Sequence, residues 1–312
     1  MKKFSRILAI FILLPAALSA VAGWFAAPMF LRPMKRPLTP GLIREADESF
    51  KRTHGRREDF VVQSFDGTLL KGWKVRAENP NGSWVLLFHG VSDNRIGVIG
   101  QSEFLLRNGY SVVMMDTRSH GDSGGPIATY GWLERRDASA VINALESSDT
   151  PKHLFALGES MGAGIALQSA GSDSRIEAVV AEASFADLQE AAYDYAGLRE
   201  YPWLGKTLFA PGAWLMVFRG ARLAGFPGAE VSPKKSVAMR PFPVYVICDA
   251  EDHALPCRHS EMIFRAARGP KEFWRVPGAY HTAALGYEPD EFRKRVLGFF
   301  DRLRQSPPVH AD

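Results

Sequence analysis

Three features of the 312-residue chain predict an α/β fold with one mostly parallel sheet and helices on both faces. A β-hairpin signal, Asp66-Gly67, separates two strand-like stretches at 60–64 and 69–75. Beyond it, short apolar runs alternate with longer segments of helical period, the rhythm of repeated βα units. The runs are predominantly apolar, as suits strands covered on both faces. They lie at 84–88, 111–115, 153–157, 178–181, 243–248 and 272–276, and with the hairpin they predict an eight-stranded sheet. The helical segments fall near 96–108, 133–145, 161–170, 259–268 and 290–303.

In chain order, the first element is apolar. Residues 7–31, from Ile7 through Leu31, carry no charge; Lys2, Lys3 and Arg6 precede them, and Arg32, Lys35 and Arg36 follow. A membrane helix needs about 20 such residues. A secretory signal is the competing reading, with Ala20-Val21-Ala22 as its cleavage site. The run continues past that site through Trp24, Phe25, Met29 and Phe30. This favours a single-pass anchor over a secreted or periplasmic product. Charge on the two flanks is nearly balanced and does not fix topology; the short N-terminal tail is expected to stay inside and the large domain to lie outside the cytoplasm. Residues 1–31 are thus anchor or signal, 32–58 a linker, 59–304 the main domain and 305–312 a tail. Pro33, Pro37 and Pro40 break the linker, which has room for a short amphipathic helix over 42–52.

Eleven of the 38 Lys and Arg, but only three of the 34 Asp and Glu, fall within residues 1–57. The body of the chain is therefore slightly acidic. Nucleic-acid binding needs a basic face on the folded domain, so it is excluded as a function class. Basic residues beside an apolar span suit a membrane surface instead.

In an open parallel sheet the chemistry lies beyond the carboxyl ends of the strands. After the run at 153–157 comes Gly158-Glu159-Ser160-Met161-Gly162, opening a helix. This is the G-x-S-x-G pattern in its strand–turn–helix setting, with small residues flanking a Ser at a helix N-terminus. Such a Ser needs a base, and the base needs an orienting acid. After 243–248 the acids are Asp249, Glu251 and Asp252. Asp252, three residues before Leu255-Pro256, is the candidate; Asp249 and Glu251 read as solvated loop acids or partners of basic groups. His281 follows the last strand in a small-residue loop, Pro277-Gly278-Ala279-Tyr280, and is the candidate base, whereas His253 reads as a loop residue. Two backbone N–H groups must hold a developing oxyanion. Met161 and Val91 are the candidates, with Gly90 needed for backbone shape and His89 orienting the loop.

The elbow GESMG, HGVSDNR at 89–95, DTRSHGDSGG at 116–125 and the final GAYH together resemble α/β-hydrolases, and most of all their membrane-anchored BEM46-like and serine-aminopeptidase-like branch. The match spans roughly residues 60–303, with the four motifs in order. The resemblance implies the α/β-hydrolase fold and hydrolysis of a carboxylic ester, thioester or amide without metal or organic cofactor. It implies Ser160, Asp252 and His281 as triad and Val91 and Met161 as oxyanion donors, and it makes Asp116, Arg118 and His120 structural. Cys248-Asp249 stands where these enzymes commonly have His-Gly.

Between Phe185 and Arg240 the βα rhythm lapses, and the segment holds Tyr193, Tyr195, Tyr201, Trp203, Trp214 and Phe218. It reads as a lid insertion over about 185–240 with an apolar acyl pocket; a helical insertion that only packs the core is the alternative. The lid is short, so short to medium acyl chains and no deep tunnel are expected, with a small or lipid-like acyl substrate as partner. Glu190 and Asp194 read as a solvated face at least as readily as a clamp for a substrate ammonium. The remaining functional readings are an aminopeptidase-like amide hydrolase and a non-catalytic tethered binding protein. Cys248 and Cys257 bracket the acid loop and could pair outside the cytoplasm; His253 and His259 stand near them, though no metal is expected.

Overall fold

The computed structural model describes residues 2–305, with side chains from Phe11 onward; the tail from residue 306 lies outside the described residues. In chain order the elements are α1 (Lys2–Phe30), α2 (Pro40–Arg52), β1 (Arg56–Gln63), β2 (Leu69–Arg76), β3 (Ser83–Phe88), α3 (Ile99–Arg107), β4 (Ser111–Met115), α4 (Glu134–Ser148), β5 (His153–Glu159), α5 (Met161–Ser172) and β6 (Ala178–Glu182). The insertion follows as α6 (Leu188–Ala196), α7 (Pro202–Lys206), α8 (Ala210–Ala224) and α9 (Pro233–Met239). The chain closes with β7 (Val244–Asp249), α10 (Arg258–Ala266), β8 (Lys271–Val276), α11 (Ala284–Tyr287) and α12 (Pro289–Arg304).

The eight strands form one sheet in the order β1-β2-β4-β3-β5-β6-β7-β8. Strand β2 runs antiparallel to β1 and β4, and every other neighbouring pair is parallel. At the hairpin Gly67 takes φ +83°, and the Asp66 carboxylate accepts from the Thr68 N–H at 3.1 Å. The central strands are covered on both faces, as their composition requires. In β3, Trp84, Leu86 and Phe88 join the core on one face, and Val85 and Leu87 join the core on the other. Leu154 and Ala156 against Phe155 and Leu157 repeat the alternation in β5.

Strand β8 departs from the two-sided burial expected of it. It is the sheet edge, and Lys271, Glu272 and Arg275 are exposed; charge on an edge discourages pairing with another chain. Strands β5, β6 and β7 each run one or two residues past their last apolar position, to Glu159, Glu182 and Asp249. Their backbones stay paired there, Glu159 with Glu182 and Asp249 with Val276.

Residues 32–58, read from sequence as a linker, are packed onto the sheet. Lys35 donates to the Ser123 carbonyl at 3.1 Å, and Arg36 pairs with Asp93 at 2.8 Å. Thr39 caps α2 by accepting from the Leu42 N–H at 3.3 Å, with Pro40 in the first turn, where no N–H is needed. Phe50 of α2 is buried edge-on against Trp73. The end of α1 is tied down as well. The Ala128 N–H donates to the Leu31 carbonyl at 2.9 Å, the Tyr130 hydroxyl donates to the Phe30 carbonyl at 2.7 Å, and the two rings stack 4.5 Å apart. Higher up, α1 lies against α8. A Cβ on Gly23 would collide with the Gly212 main chain, and one on Gly212 with Ser19; only glycine lets two helix backbones come this close.

A buried ion pair joins the loops that follow the neighbouring strands β3 and β4. Arg95 and Asp116 are both buried, and Asp116 accepts from the Arg95 N–H, Nε and Nη2 at 2.8, 3.1 and 2.6 Å and from the Asp122 N–H at 2.7 Å. Removing one partner strands a buried charge, at a cost of about 3–5 kcal/mol, whereas replacing both with apolar groups can be neutral. Asp116→Ala should therefore destabilise by about 3–5 kcal/mol, and Arg95→Met/Asp116→Leu should recover much of the loss. Chemical denaturation in detergent reads both; a single variant as stable as the parent would contradict the assignment.

Candidate active site

The turn from β5 into α5 carries Ser160 at φ +54° and ψ −121°. This is a strained region for a residue with a Cβ. Its surroundings enforce it. The Ser160 N–H donates to the Glu182 carbonyl at 2.9 Å. A Cβ on Gly158 would strike the Gly162 carbonyl, and one on Gly162 would strike the Phe88 carbonyl, so both glycines are required by close main-chain packing. The Ser160 side chain makes no capping bond to its own helix and is left to other partners.

Those partners are the two residues the sequence selected. Ser160 Oγ lies 2.8 Å from His281 Nε2, and His281 Nδ1 lies 2.6 Å from Asp252 Oδ2. Asp252 is buried, and its other oxygen accepts from the Ala254 and Leu255 N–H groups at 2.7 and 2.9 Å. With Asp252 as acceptor, Nδ1 carries the proton and Nε2 is free to accept from the serine hydroxyl. The loop after β7 is closed by a disulfide between Cys248 and Cys257, whose Cα atoms are 5.3 Å apart. Glu251 and His253 are exposed on this loop.

Val91 and Met161 line the same cavity as Ser160, and neither backbone N–H has an acceptor among the described residues. Two unpartnered amides beside a serine are what an oxyanion would need. The loop bearing Val91 is held by His89, which is buried and neutral, its pKa lowered by burial. His89 Nδ1–H donates to the Gly90 carbonyl at 2.7 Å, and Nε2 accepts from the Thr117 N–H at 3.1 Å. Gly90 differs from expectation. Its φ is not positive, and an added Cβ would meet only Ser160 Cβ, at 3.6 Å. Backbone shape does not demand glycine here; its absent side chain leaves room beside Ser160.

Asp249 also differs. It is buried rather than solvated and has no basic partner; its Oδ2 accepts from the Thr282 N–H at 2.8 Å, beside His281. It belongs to a group of buried acids that the sequence reading missed. Burial, and then the nearby Asp252, push Asp249 up to about 7. Glu159 is raised to about 8, by burial and then by Asp93, and accepts from Gln101 Nε2 at 3.1 Å. Glu182 is raised well above its usual range by burial and then by Asp249 and Glu159; it accepts from the Ala284 N–H at 3.0 Å, bracing the loop that follows His281. The available signal was an acid at the end of each of three successive apolar strands.

An apolar cavity of about 430 Å³ opens at Ser160. Leu188, Ala192 and Tyr195 of α6 and Met216 of α8 line it, as the reading of the insertion expected; Ala26, Met29 and Phe30 of α1 form another wall, which it did not. Glu190 and Asp194 are not a solvated face. Asp194 is buried between Arg258 and His259 Nε2, the latter at 2.6 Å, and Glu190 pairs with Arg258 at 2.9 Å and Lys206 at 2.7 Å. These bonds pin α6 to α10. His259 Nδ1 accepts from the Ala186 N–H at 3.2 Å, so both its nitrogens are used within the protein.

A parallel sheet with an elbow serine, an imidazole and a carboxylate on loops at one edge defines a hydrolase of the α/β class. The model of the alpha/beta hydrolase family matches residues 85–295, and the chain belongs to that family. It is similar to the Bacillus subtilis protein YqkD, 28% identical over 262 residues that cover 83% of each chain. It is also 25% identical over 245 residues to Escherichia coli YfhR, covering 75% of this chain and 77% of the other. Among solved structures, the Pyrococcus furiosus esterase Pf2001 superposes with a TM-score of 0.68 at 23% identity, over 87% of this chain and 98% of its own. A Pseudomonas aeruginosa hydrolase gives 0.59 at 23% identity, over 78% and 98%. At these identities the structural likeness concerns the fold.

The buried acids make stability depend on pH. Asp249 and Glu159 keep protons in the folded chain that the unfolded chain, with ordinary values of 3.8 and 4.5, has released. Their neutral forms favour folding fully below about pH 4, and this contribution is lost as the pH rises through about 7 and about 8 respectively. Asp249→Asn is neutral at every pH. In calorimetry, the melting temperature of the parent should fall between about pH 5 and 8 by several degrees more than that of the variant. Parallel pH profiles for the two proteins would refute this role for Asp249.

Proposed function

We propose that this protein is a membrane-anchored serine hydrolase that cleaves carboxylic esters or thioesters through an acyl-enzyme. The observation that carries the reading is the hydrogen-bonded line Ser160–His281–Asp252 beside two unpartnered amides. His281 Nε2 takes the serine proton as Oγ attacks the substrate carbonyl. The Val91 and Met161 N–H groups receive the oxyanion, and Asp252 holds the imidazole in the right tautomer and steadies its charge. His281 then protonates the leaving alcohol or thiol, and a water molecule releases the acyl group by the same route. The apolar cavity suits an acyl chain, and the esterase activity in the name of the Pyrococcus furiosus structure supports an ester substrate. An aminopeptidase would need a carboxylate for the substrate ammonium, but Asp187, Glu190, Asp194 and Glu230 of the insertion are paired with basic side chains, and Glu200 is exposed and does not line the cavity at Ser160.

Ser160→Ala should lower ester turnover by about 10⁴-fold or more with the fold retained, and Asp252→Asn by about 10⁴-fold. Glu251→Gln, an exposed change, should stay within about twofold. Steady-state rates on p-nitrophenyl esters and labelling by a fluorophosphonate check the series. A Ser160→Ala protein with a tenth of the parent rate would remove Ser160 as nucleophile, and a folded parent that takes no probe would favour a binding protein.

The anchor is α1. Phe11–Phe30 is long and apolar enough to cross a membrane, and Phe11, Leu13, Phe25 and Met29 are exposed. A signal sequence shares this composition, but Ser19 and Gly23 are packed into α8, which favours retention. The Cys248–Cys257 bridge favours an oxidising compartment for the domain. The protein should stay with membranes through high-salt and carbonate washes; a soluble mature chain starting near Gly23 would establish cleavage instead.

A further inference from the structure

The apolar cavity at Ser160 does not end beneath the insertion. A second cavity of about 430 Å³ lies farther along α1, between Ser19, Ala22 and Gly23 on one side and Ala196, Leu198 and Phe209 on the other. Both cavities have Ala26, Ala192, Tyr195 and Met216 in their walls. The two therefore abut along these four residues, and opened to each other they would make one apolar passage that starts at Ser160 and follows α1 away from the sheet. From Phe30 back to Ser19 the helix advances about 16 Å, at 1.5 Å per residue. That length suits a long acyl chain, not the short to medium chains and shallow site that the brief insertion led one to expect. Residues of α1 supply one wall of the passage along this length.

The outside of the passage is apolar too. Leu18, Val21 and Phe25 of α1 are exposed, as are Trp214 and Phe218 of α8. Leu198, at the far end of the passage, and Trp203 are exposed as well. These side chains continue the surface of the helix that is long and apolar enough to cross a membrane. A soluble protein rarely leaves so much contiguous apolar surface to water, and a bilayer would cover it. Arg219 on this face donates to the Trp24 carbonyl and stacks on its ring, while Arg222, one turn beyond Phe218, is exposed. Aromatic rings with such a cation suit the level of the lipid headgroups.

We propose that the passage takes the acyl chain of an ester lipid resident in the bilayer, and that the chain enters at the Ser19–Leu198 end directly from the membrane. In this reading, which rests on the serine-hydrolase assignment, α1 is part of the substrate site as well as an anchor. The lipid carbonyl stops at Ser160 with its tail along α1. The Ser160 Oγ–acyl bond forms as the acyl–alkoxy bond breaks, and the alcohol leaves with the proton carried by His281. Water then gives its hydroxyl to the acyl carbon and its proton, through His281, back to Ser160.

Ala22→Trp and Ala196→Trp each narrow the distal cavity, from different helices. Full-length protein in phosphatidylcholine vesicles is assayed on dodecanoyl and butyryl p-nitrophenyl esters. The ratio of kcat/KM for the long ester to that for the short one should fall at least tenfold in both variants. Because both rates come from one preparation, loss of folded protein cancels. An unchanged ratio with Ser160 still labelled by a fluorophosphonate overturns the passage and leaves the catalytic reading standing; an unlabelled parent overturns both. For the route of entry, parent protein and didodecanoylglycerol are placed in the same vesicles or in separate ones. Hydrolysis at least tenfold faster in shared vesicles is expected, and equal rates overturn entry from the bilayer.

Discussion

Close main-chain packing at the β5–α5 turn is the constraint on which the site depends. Gly158 lets the end of β5 lie against the Gly162 carbonyl of α5, Gly162 lets α5 lie against the Phe88 carbonyl, and between them Ser160 takes φ +54°. The strain has a use. It turns the serine side chain away from its own helix, so that the hydroxyl can meet His281, and it leaves the Met161 N–H without an acceptor among the described residues. A relaxed serine at a helix start would cap that helix instead. The freed serine hydroxyl and the open Met161 N–H thus come from a single backbone feature.

The surrounding loops are held by different means, suited to the task of each. A buried ion pair joins Arg95 to Asp116 and so fixes the strand-end loop that carries Val91. A disulfide and two backbone N–H groups hold Asp252. Buried acids lie under the His281 loop, and their burial raises them toward the neutral form. Neutral Asp249 and Glu182 keep hydrogen-bonding oxygens in place without adding several like charges around Asp252, where a crowd of carboxylates would oppose one another.

The fold was legible because its signals are local. An Asp-Gly turn, two-sided apolar runs and intervening helical periods each report on a few neighbouring residues, and β4 starts and stops at 111 and 115, where the apolar run does. Ser160, His281 and Asp252 were legible because the strand-end rule turns a three-dimensional question into position along the chain. What escaped was non-local. Nothing in the sequence around Asp249 says that Thr282 would bond it, nor around Glu190 and Asp194 that Arg258 would claim both. Gly90 was misjudged because a glycine left open for space looks the same in sequence as one required by φ. The part played by α1 was hidden most deeply, since an apolar helix at the start of a chain carries no sign of what it packs against.

The junction between α1 and the domain has a mechanical consequence. Leu31 and Phe30 are bonded through their carbonyls to Ala128 and Tyr130, and the following residues are strapped down by Lys35 and Arg36. No free length of chain separates helix from catalytic body, so the body cannot swing as it would on a flexible leash, whose reach grows with its number of residues. Whatever surface α1 enters, the mouth of the site keeps one fixed bearing relative to the helix axis.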